Sequence, residues 1–155
     1  MILWFTGQPG SGKTTLCKKF IKENLIEKCS INKREIIHID GDDLRDLTDN
    51  KDYSEKGRRN NIRLAMNLAK FSHNKGYIVL VSLVSPYRDL REEMKSLDHV
   101  KEFYIHTEEV RGKESYFVEN YEAPLNNFVD INTSKPIEEN INEIFDVYRK
   151  MATLA

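Results

Sequence analysis

Residues 7–14 read Gly-Gln-Pro-Gly-Ser-Gly-Lys-Thr and match the pattern G-x-x-x-x-G-K-[ST], which is typical of a loop that binds phosphate. The apolar run 2–5 precedes this loop, and apolar residues recur at helical spacing from Lys13 onward, so a strand and a helix are predicted to flank it. Glycines let the backbone wrap closely around a phosphate, which accepts hydrogen bonds from the amides of the loop and the first helical turn. We expect a nucleoside triphosphate to contact Gly7, Pro9, Gly10, Ser11, Gly12, Lys13, Thr14 and Thr15.

Two side chains of this loop have predicted roles of their own. Lys13 reaches the β- and γ-phosphates as a point charge, and the Thr14 hydroxyl coordinates Mg²⁺. The chain lacks a guanine-reading N-K-x-D motif, because residues 32–35 read Asn-Lys-Arg-Glu, and it also lacks a D-x-x-G switch. ATP is therefore favoured over GTP. A chain of 155 residues is too short for a motor ATPase but fits a small-molecule kinase.

Apolar runs of strand length alternate with segments of helical spacing along the chain. Strands are predicted at 2–5, 36–39, 77–81, 100–105 and 128–131, and the helical segments are about four turns from Lys13, 55–74, a stretch after Tyr87 and the residues after Pro136. Continuous apolar strands between helices imply an α/β fold whose parallel sheet is covered on both faces, with ligands beyond the carboxyl ends of the strands. We expect one domain over 1–155, in which the poorly periodic segment 108–127 is a loop or lid.

Composition restricts the class of protein further. With 39% hydrophobic and 32% charged residues the chain has enough apolar side chains for a core, which excludes a disordered protein. A formal net charge of -1 gives no general positive field to hold nucleic acid or an anionic membrane, so we expect neither as a partner. No apolar run approaches the ~20 residues of a membrane span, and residues 1–5 have no basic stretch typical of a signal peptide. Cys17 and Cys29 form no C-x-x-C pair, and we expect reduced thiols in a cytoplasmic protein.

A short acidic sequence, Asp-Gly-Asp at 40–42, follows the second predicted strand. Phosphoryl transfer benefits from a carboxylate that accepts the proton of the attacking hydroxyl and from others that hold the waters of Mg²⁺. Asp40 and Asp42 are candidates for both roles, although Asp-Gly-Asp is also a common solvated turn. The four histidines lack the spacing of metal ligands, so we expect no metal other than the Mg²⁺ that accompanies ATP.

The chain resembles the adenylyl-sulfate (APS) kinase family, whose members have a GxSGSGKTT loop, a DGDxxR, an FSxxDRxxNIRR and an ISPFR in this order and at nearly these spacings. The corresponding stretches here are 7–15, 40–45, 53–63 and 84–88, and 121–124 is similar to the family's PYEAP segment. The resemblance covers residues 5–134. It implies a three-layer P-loop kinase fold with a five-stranded parallel sheet between helices, Mg-ATP as donor, and a homodimer. The implied acceptor is the ribose 3′-hydroxyl of a nucleotide, usually adenosine 5′-phosphosulfate.

The resemblance also implies residue roles. Asp42 matches the second acid of DGD, the base and metal-water partner, with Asp40 supporting it and Lys13 completing the catalytic set. Thr14 and Asp42 are the implied Mg²⁺ residues, and Arg111 is an implied ATP contact. Arg58 and Asn61 are three apart on one helix and share a face, which independently favours a common ligand. The implied acceptor-binding residues are Asp42, Arg45, Tyr53, Arg58, Asn61, Val84, Ser85 and Phe117, although the Ser85 hydroxyl is equally compatible with a structural role.

Three departures from the family pattern surround the implied acceptor site. Tyr53 replaces a phenylalanine that stacks on the acceptor base, and an aromatic ring there still allows stacking. Gly57 replaces an aspartate, so we expect a charge to be lost beside the acceptor pocket. Residues 108–120 replace a longer, more basic lid, which should weaken closure or leave space for a different acceptor. Phe117 is either a second stacking ring or an ordinary packing residue.

These departures leave several functions open. The first hypothesis is 3′-phosphorylation of APS. The second is the same reaction on cytidine 5′-diphosphoramidate, which serves capsule modification. The third is a metabolite kinase that acts on a sugar acid, and the fourth is a nucleotide-binding module without turnover. Assays of ATP consumption against a panel of nucleotides separate them.

Overall fold

The structure, a computed structural model, describes residues 1–154. Five strands form one sheet in the order β2-β3-β1-β4-β5, and every neighbouring pair runs parallel. The strands are β1 (Ile2–Thr6), β2 (Ile36–Asp40), β3 (Ile78–Ser82), β4 (Val100–His106) and β5 (Val129–Asn132). Because all five run parallel, their carboxyl ends lie at one edge of the sheet, and the loops that carry the polar motifs meet there.

Helices connect the strands and cover both faces of the sheet. They are α1 (Lys13–Lys19), α2 (Gly41–Thr48), α3 (Glu55–Asn74), α4 (Arg88–Lys95) and α5 (Ile137–Leu154). The first helix continues as a π-helical segment, Phe20–Lys28, in which the amide of Cys29 donates to the carbonyl of Asn24 five residues earlier. Among residues 1–154, no helix combines the length and the apolar character needed to cross a membrane.

Two apolar cores lie on opposite faces of the sheet. Alternate residues of a strand point to opposite faces, and β1 shows this directly, since Ile2 and Trp4 enter one core while Leu3 and Phe5 enter the other. The first core packs α2, α3 and α4 against the sheet through side chains such as Met66. The second packs α1 and α5 through side chains such as Ile144. Burial of both faces explains why the central strands β1 and β3 are apolar without alternation.

The predicted α/β class, with a five-stranded parallel sheet between helices, is confirmed. The five predicted strands match the observed ones to within one residue at each end, and α3 occupies the predicted range 55–74. Helix α2 was not predicted. It begins directly after Asp40, whose carboxylate accepts a hydrogen bond from the amide of Asp42 and so caps the helix.

Candidate active site

A cleft of about 740 Å³ opens at the carboxyl ends of β1, β2 and β3. The phosphate-binding loop forms one wall, the start of α2 and α3 forms another, and part of the 108–127 segment lies across them. The lining residues are Pro9, Gly10, Lys13, Thr14, Asp40, Gly41, Asp42, Arg45, Tyr53, Arg58, Asn61, Ile62, Ser82, Leu83, Val84, Ser85, Pro86, Lys113, Ser115, Tyr116, Phe117 and Val118. The cleft therefore brings together the phosphate-binding loop, the acidic corner after β2 and the Arg58–Asn61 face.

The phosphate-binding loop depends on three glycines, one for close packing and two for their backbone conformation. A side chain at Gly7 would collide with the carbonyl oxygen of Ile105 on β4, so only glycine fits where the loop leaves β1. Gly10 and Gly12 have φ angles of 78° and 106°, which other residues rarely adopt. Together they curl the backbone so that its amides surround one point, as phosphate binding requires.

Lys13 lies inside this loop rather than in solvent. Its ammonium group donates to the carbonyl oxygens of Gly7 at 2.9 Å and Gln8 at 3.0 Å, and to the hydroxyl of Ser11 at 3.4 Å. Burial lowers the pKa of Lys13 to about 8, although Asp40 opposes this shift. A phosphate group in the loop would add negative charge beside the ammonium and favour its protonated form.

The two acids after β2 differ in their surroundings. Asp40 Oδ1 accepts hydrogen bonds from Thr14 Oγ1 at 2.8 Å and from Ser82 Oγ at 2.7 Å. Burial would raise the pKa of Asp40, but these hydrogen bonds and that of the Asp42 amide outweigh it and hold the pKa below its usual value. The Asp42 side chain is exposed at the cleft and has no hydrogen-bond or ion-pair partner within residues 1–154. Asp40 is thus already engaged, whereas Asp42 is available to a ligand.

Arg45 and Tyr53 form one side of the cleft. The guanidinium of Arg45 lies over the Tyr53 ring, 4.0 Å from its centroid, which is a cation–π contact. The same guanidinium donates to the carbonyl oxygens of Asn50 and Asp52, both at 3.1 Å. Arg45 therefore stabilises the turn that carries Tyr53, and the exposed ring face remains open for stacking.

Arg58 and Asn61 lie on the cleft-facing side of α3, as their spacing predicted. Asn61 is only 4% exposed, yet its Oδ1 atom has no hydrogen-bond partner in the described part of the chain. A buried acceptor without a donor carries an unfavourable free energy of about 1–3 kcal/mol. A hydroxyl or amine donated by a ligand in the cleft would remove this cost.

The Gly57 position explains one departure from the family pattern. A Cβ atom at Gly57 would collide with the Asp52 backbone carbonyl and with its side chain, so no larger residue fits. The Asp52 carboxyl group lies in the space into which a side chain at 57 would point. An acid therefore lies beside the first turn of α3, but Asp52 does not line the cleft, so the expected loss of charge beside the acceptor pocket stays a prediction.

Hydrogen bonds from buried side chains of β1 fix the turn after β3. The buried Ser85 hydroxyl accepts a hydrogen bond from Trp4 Nε1 at 3.0 Å and also lies 3.1 Å from Thr6 Oγ1. Ser85 has a φ angle of 39°, a strained value for a residue other than glycine. These contacts favour the structural role for the Ser85 hydroxyl, while Val84 lines the cleft.

The 108–127 segment is irregular except for one short turn, Glu114–Tyr116, and it contacts the phosphate-binding loop. The Gln8 amide and the Val118 backbone exchange two hydrogen bonds, both 2.9 Å long. Arg111 donates to the carbonyl oxygens of Gly10 and Ser11 and so supports the loop from outside the main cleft. Phe117 is 44% exposed and lies between the main cleft and a second cavity of about 150 Å³.

The cleft includes most of the predicted site residues. Those that do not line it are Gly7, Ser11, Gly12, Thr15 and Arg111. Three of these belong to the phosphate-binding loop itself, and Thr15 is exposed in the first turn of α1. Sequence reasoning did not assign Ser82 and Tyr116, which line the cleft, or Gln8 and His38, which lie beside it. Lys113, which the sequence suggests as a cationic residue of the short lid, also lines the cleft. Ser82 carried a usable signal, because it directly follows a predicted apolar strand, as Asp40 does.

Comparisons with known proteins agree with this geometry. Residues 1–114 match the family model described as adenylylsulphate kinase. An adenylyl-sulfate kinase of Geotalea daltonii is 39% identical over 104 residues, which are 66% of this chain and 49% of that enzyme. A cytidine diphosphoramidate kinase of Campylobacter jejuni is 30% identical over 142 residues, which are 87% of this chain and 81% of that enzyme. The chain thus spans about half the length of the Geotalea relative.

Solved structures provide an independent comparison of the fold. The APS kinase of Mycobacterium tuberculosis, solved in complex with AMPPNP and APS, matches 96% of each chain with a TM-score of 0.78 and 22% sequence identity. At this identity the likeness concerns the fold. It confirms the P-loop kinase architecture that the sequence predicted.

Proposed function

Since the chain belongs to the adenylylsulphate kinase family, we propose that it transfers the γ-phosphate of ATP to the ribose 3′-hydroxyl of adenosine 5′-phosphosulfate. The observation that carries this proposal is the single cleft in which Lys13, Asp42 and Asn61 meet. Lys13 belongs to the triphosphate loop, Asn61 to the acceptor face, and the free carboxylate of Asp42 lies in the same cleft. A phosphoryl donor and an alcohol acceptor would both have a place there.

The reaction requires little covalent help from the protein. The ribose 3′-oxygen attacks the γ-phosphorus, the bond from that phosphorus to the β–γ bridging oxygen breaks, and ADP leaves. Asp42 accepts the hydroxyl proton, for which its carboxylate has no competing partner in residues 1–154. Lys13 stabilises the negative charge that develops on the transferring group and on the leaving ADP.

The residues present fit a magnesium ion brought by ATP. Thr14 donates its hydroxyl hydrogen to Asp40, which leaves the lone pairs of the Thr14 oxygen free for a cation. Hydroxyl and carboxylate oxygens are the ligands that Mg²⁺ accepts, several of them through water. Thr14 and Asp42 would hold the ion, whose charge would neutralise the phosphates during transfer.

The acceptor nucleotide would lie between Tyr53 and the Arg58–Asn61 face. The Tyr53 ring offers a stacking surface for a base, and the half-buried Arg58, which has no ionic partner in the described residues, is available to an anionic phosphate or sulfate. Asn61 Oδ1 would accept a hydrogen bond from a ribose hydroxyl and so gain the partner that it lacks. Phe117 would close the opposite side of the base.

Cytidine 5′-diphosphoramidate is the second candidate acceptor. The match with this chain covers 81% of the Campylobacter cytidine diphosphoramidate kinase but only 49% of the Geotalea adenylyl-sulfate kinase. The Campylobacter enzyme is therefore closer to this chain in length. The short 108–127 segment leaves space for an acceptor other than APS. The higher identity and the family model favour APS as the first candidate.

The wider setting of the enzyme follows from the same resemblance. We propose one domain over 1–155, with the 108–127 segment acting as a lid over the cleft, in a cytoplasmic homodimer. Light scattering of the purified protein tests the dimer. Protection of 108–127 from hydrogen exchange when AMPPNP binds tests the lid.

A panel assay tests the proposed function. The protein is incubated with Mg-ATP and, in separate reactions, APS, cytidine 5′-diphosphoramidate or gluconate, and ADP release is measured together with the phosphorylated product. We expect rapid turnover with APS. Turnover only with the cytidine compound would select the second candidate. Phosphorylation of gluconate without any nucleotide turnover would refute both.

A further inference from the structure

A line of hydrogen bonds runs from β2 through β3 to α1 beneath the acidic corner. His38 Nε2 lies 2.7 Å from Ser82 Oγ, and Ser82 Oγ donates to Asp40 Oδ1, also at 2.7 Å. Thr14 Oγ1 donates to the same carboxylate oxygen at 2.8 Å. Strand register produces this arrangement, because Asp40 pairs with Ser82, and His38 lies two residues before Asp40 on the same face of β2. Hydrogen bonds thus connect four side chains in series, from His38 on β2 to Thr14 at the end of the phosphate-binding loop.

The direction of each hydrogen bond follows from counting hydrogens. An ionised carboxylate only accepts, and each hydroxyl has one hydrogen to give. Ser82 and Thr14 both give theirs to Asp40, so the hydrogen between His38 and Ser82 belongs to His38 Nε2. Burial lowers the pKa of His38, which is consistent with a neutral ring that carries its hydrogen on this nitrogen.

These hydrogen bonds fix the direction of the Thr14 hydroxyl in the phosphate-binding loop. If the Ser82 hydroxyl rotated away, Asp40 Oδ1 would lose one of its two side-chain donors and would be free to turn from Thr14. The Thr14 hydrogen would then have no fixed acceptor, and its oxygen would present its lone pairs in no fixed direction. His38 opposes the rotation because its Nε2–H group donates to one lone pair of Ser82 Oγ.

We propose that His38 and Ser82 are positioning residues which act through Asp40 to fix the Thr14 hydroxyl for the cation that accompanies the nucleotide. This inference rests on the proposed function, since it takes Thr14 to meet Mg-ATP. Neither residue belongs to the motifs that the sequence presents, and His38 does not line the cleft. Their effect should appear in the contribution of Mg²⁺ to nucleotide affinity rather than in affinity as a whole.

The test compares nucleotide binding with and without the cation. Isothermal titration calorimetry gives the Kd of AMPPNP in Mg²⁺ and in EDTA, and the ratio of the two values is the gain due to Mg²⁺. His38→Leu removes the donor, whereas His38→Gln keeps an N–H near the position of Nε2. Ser82→Ala removes the hydroxyl, whereas Ser82→Thr keeps it. Ser96→Ala is the matched control, because within residues 1–154 its hydroxyl bonds only to the Glu93 carbonyl, outside the cleft.

We expect His38→Leu and Ser82→Ala to reduce the gain due to Mg²⁺ about three- to tenfold, the effect of one lost hydrogen bond. The Kd in EDTA should stay within about twofold of the wild type, and the Gln and Thr variants should restore most of the gain. Circular dichroism confirms that each variant is folded. An unchanged gain in both His38→Leu and Ser82→Ala would overturn the proposal, and so would a loss of equal size in Mg²⁺ and in EDTA.

The outcomes for this inference and for the proposed function are separate. The wild-type protein could show the expected gain in AMPPNP affinity due to Mg²⁺, and the His38 and Ser82 variants the expected reduction of that gain, while the wild type phosphorylates neither APS nor cytidine 5′-diphosphoramidate. This result would refute the proposed function and support the inference. A wild-type protein that phosphorylates APS, with His38 and Ser82 variants indistinguishable from it in binding, would refute only the inference.

Discussion

Nucleotide binding should be coupled to protonation of Lys13. In the free protein burial holds the pKa of Lys13 at about 8, well below the ordinary value for lysine. Triphosphate charge beside the ammonium raises that pKa, so binding takes up a proton wherever the free lysine is neutral. From a pKa of about 8, the uptake is about 0.1 proton at pH 7, about 0.5 at pH 8 and about 0.9 at pH 9.

The same linkage sets the pH dependence of affinity. Above pH 8 part of the binding free energy is used to protonate Lys13, so the Kd of AMPPNP should rise about tenfold between pH 7 and pH 9. Calorimetry in buffers of different ionisation enthalpy measures the number of protons taken up. Lys13→Met is the control, since it has similar length and no ionisable group. It should bind more weakly at every pH and show no comparable rise.

Two results would refute this reasoning. Proton uptake that does not increase between pH 7 and pH 9 would show that the lysine stays charged in the free loop. An uptake that increases equally in Lys13→Met would show that the proton goes to another group or to the nucleotide itself.

Three further predictions concern catalysis, acceptor binding and stability. Asp42→Asn should lower kcat by at least ~10²-fold and leave AMPPNP affinity measured in EDTA largely intact; a near-normal kcat would place the base elsewhere. Asn61→Leu should raise KM for the acceptor about three- to tenfold without lowering stability, because it removes an unpartnered acceptor; an unchanged KM would count against ribose binding there. Glu102→Gln should lower the free energy of unfolding in urea by about 3–5 kcal/mol, because it removes the carboxylate that pairs with the buried Arg91 and Lys95, whereas the same change at the surface residue Glu93 should cost about 0–1 kcal/mol. Equal effects at the two glutamates would contradict this account of the buried pair.

Much of the fold is encoded locally and was predicted for that reason. The central strands β1 and β3 are buried on both faces, so each appears as an unbroken apolar run, and 77–81 is an example. Helix α3 has twenty residues and a long apolar pattern. Helix α2 has only eight residues, with Leu44 as its one buried side chain, so little periodicity marks it. Its cap, the Asp40 carboxylate, was assigned to chemistry instead.

The site was predicted as far as its residues follow motifs. Arg58 and Asn61 were placed on a common face by helical spacing alone, and the structure agrees. The contact between Ser82 and Asp40 depends on the register of two strands, which an apolar run does not specify. The reason for Gly57 lies in the Asp52 backbone that packs against it, which no local pattern reveals.

A crystal structure with AMPPNP, Mg²⁺ and APS bound together tests the central claim most directly. We expect the γ-phosphate to lie in the loop 7–14 beside Lys13, with the ribose 3′-hydroxyl between that phosphate and the Asp42 carboxylate. A triphosphate bound elsewhere, or an acceptor hydroxyl remote from both Asp40 and Asp42, would contradict it.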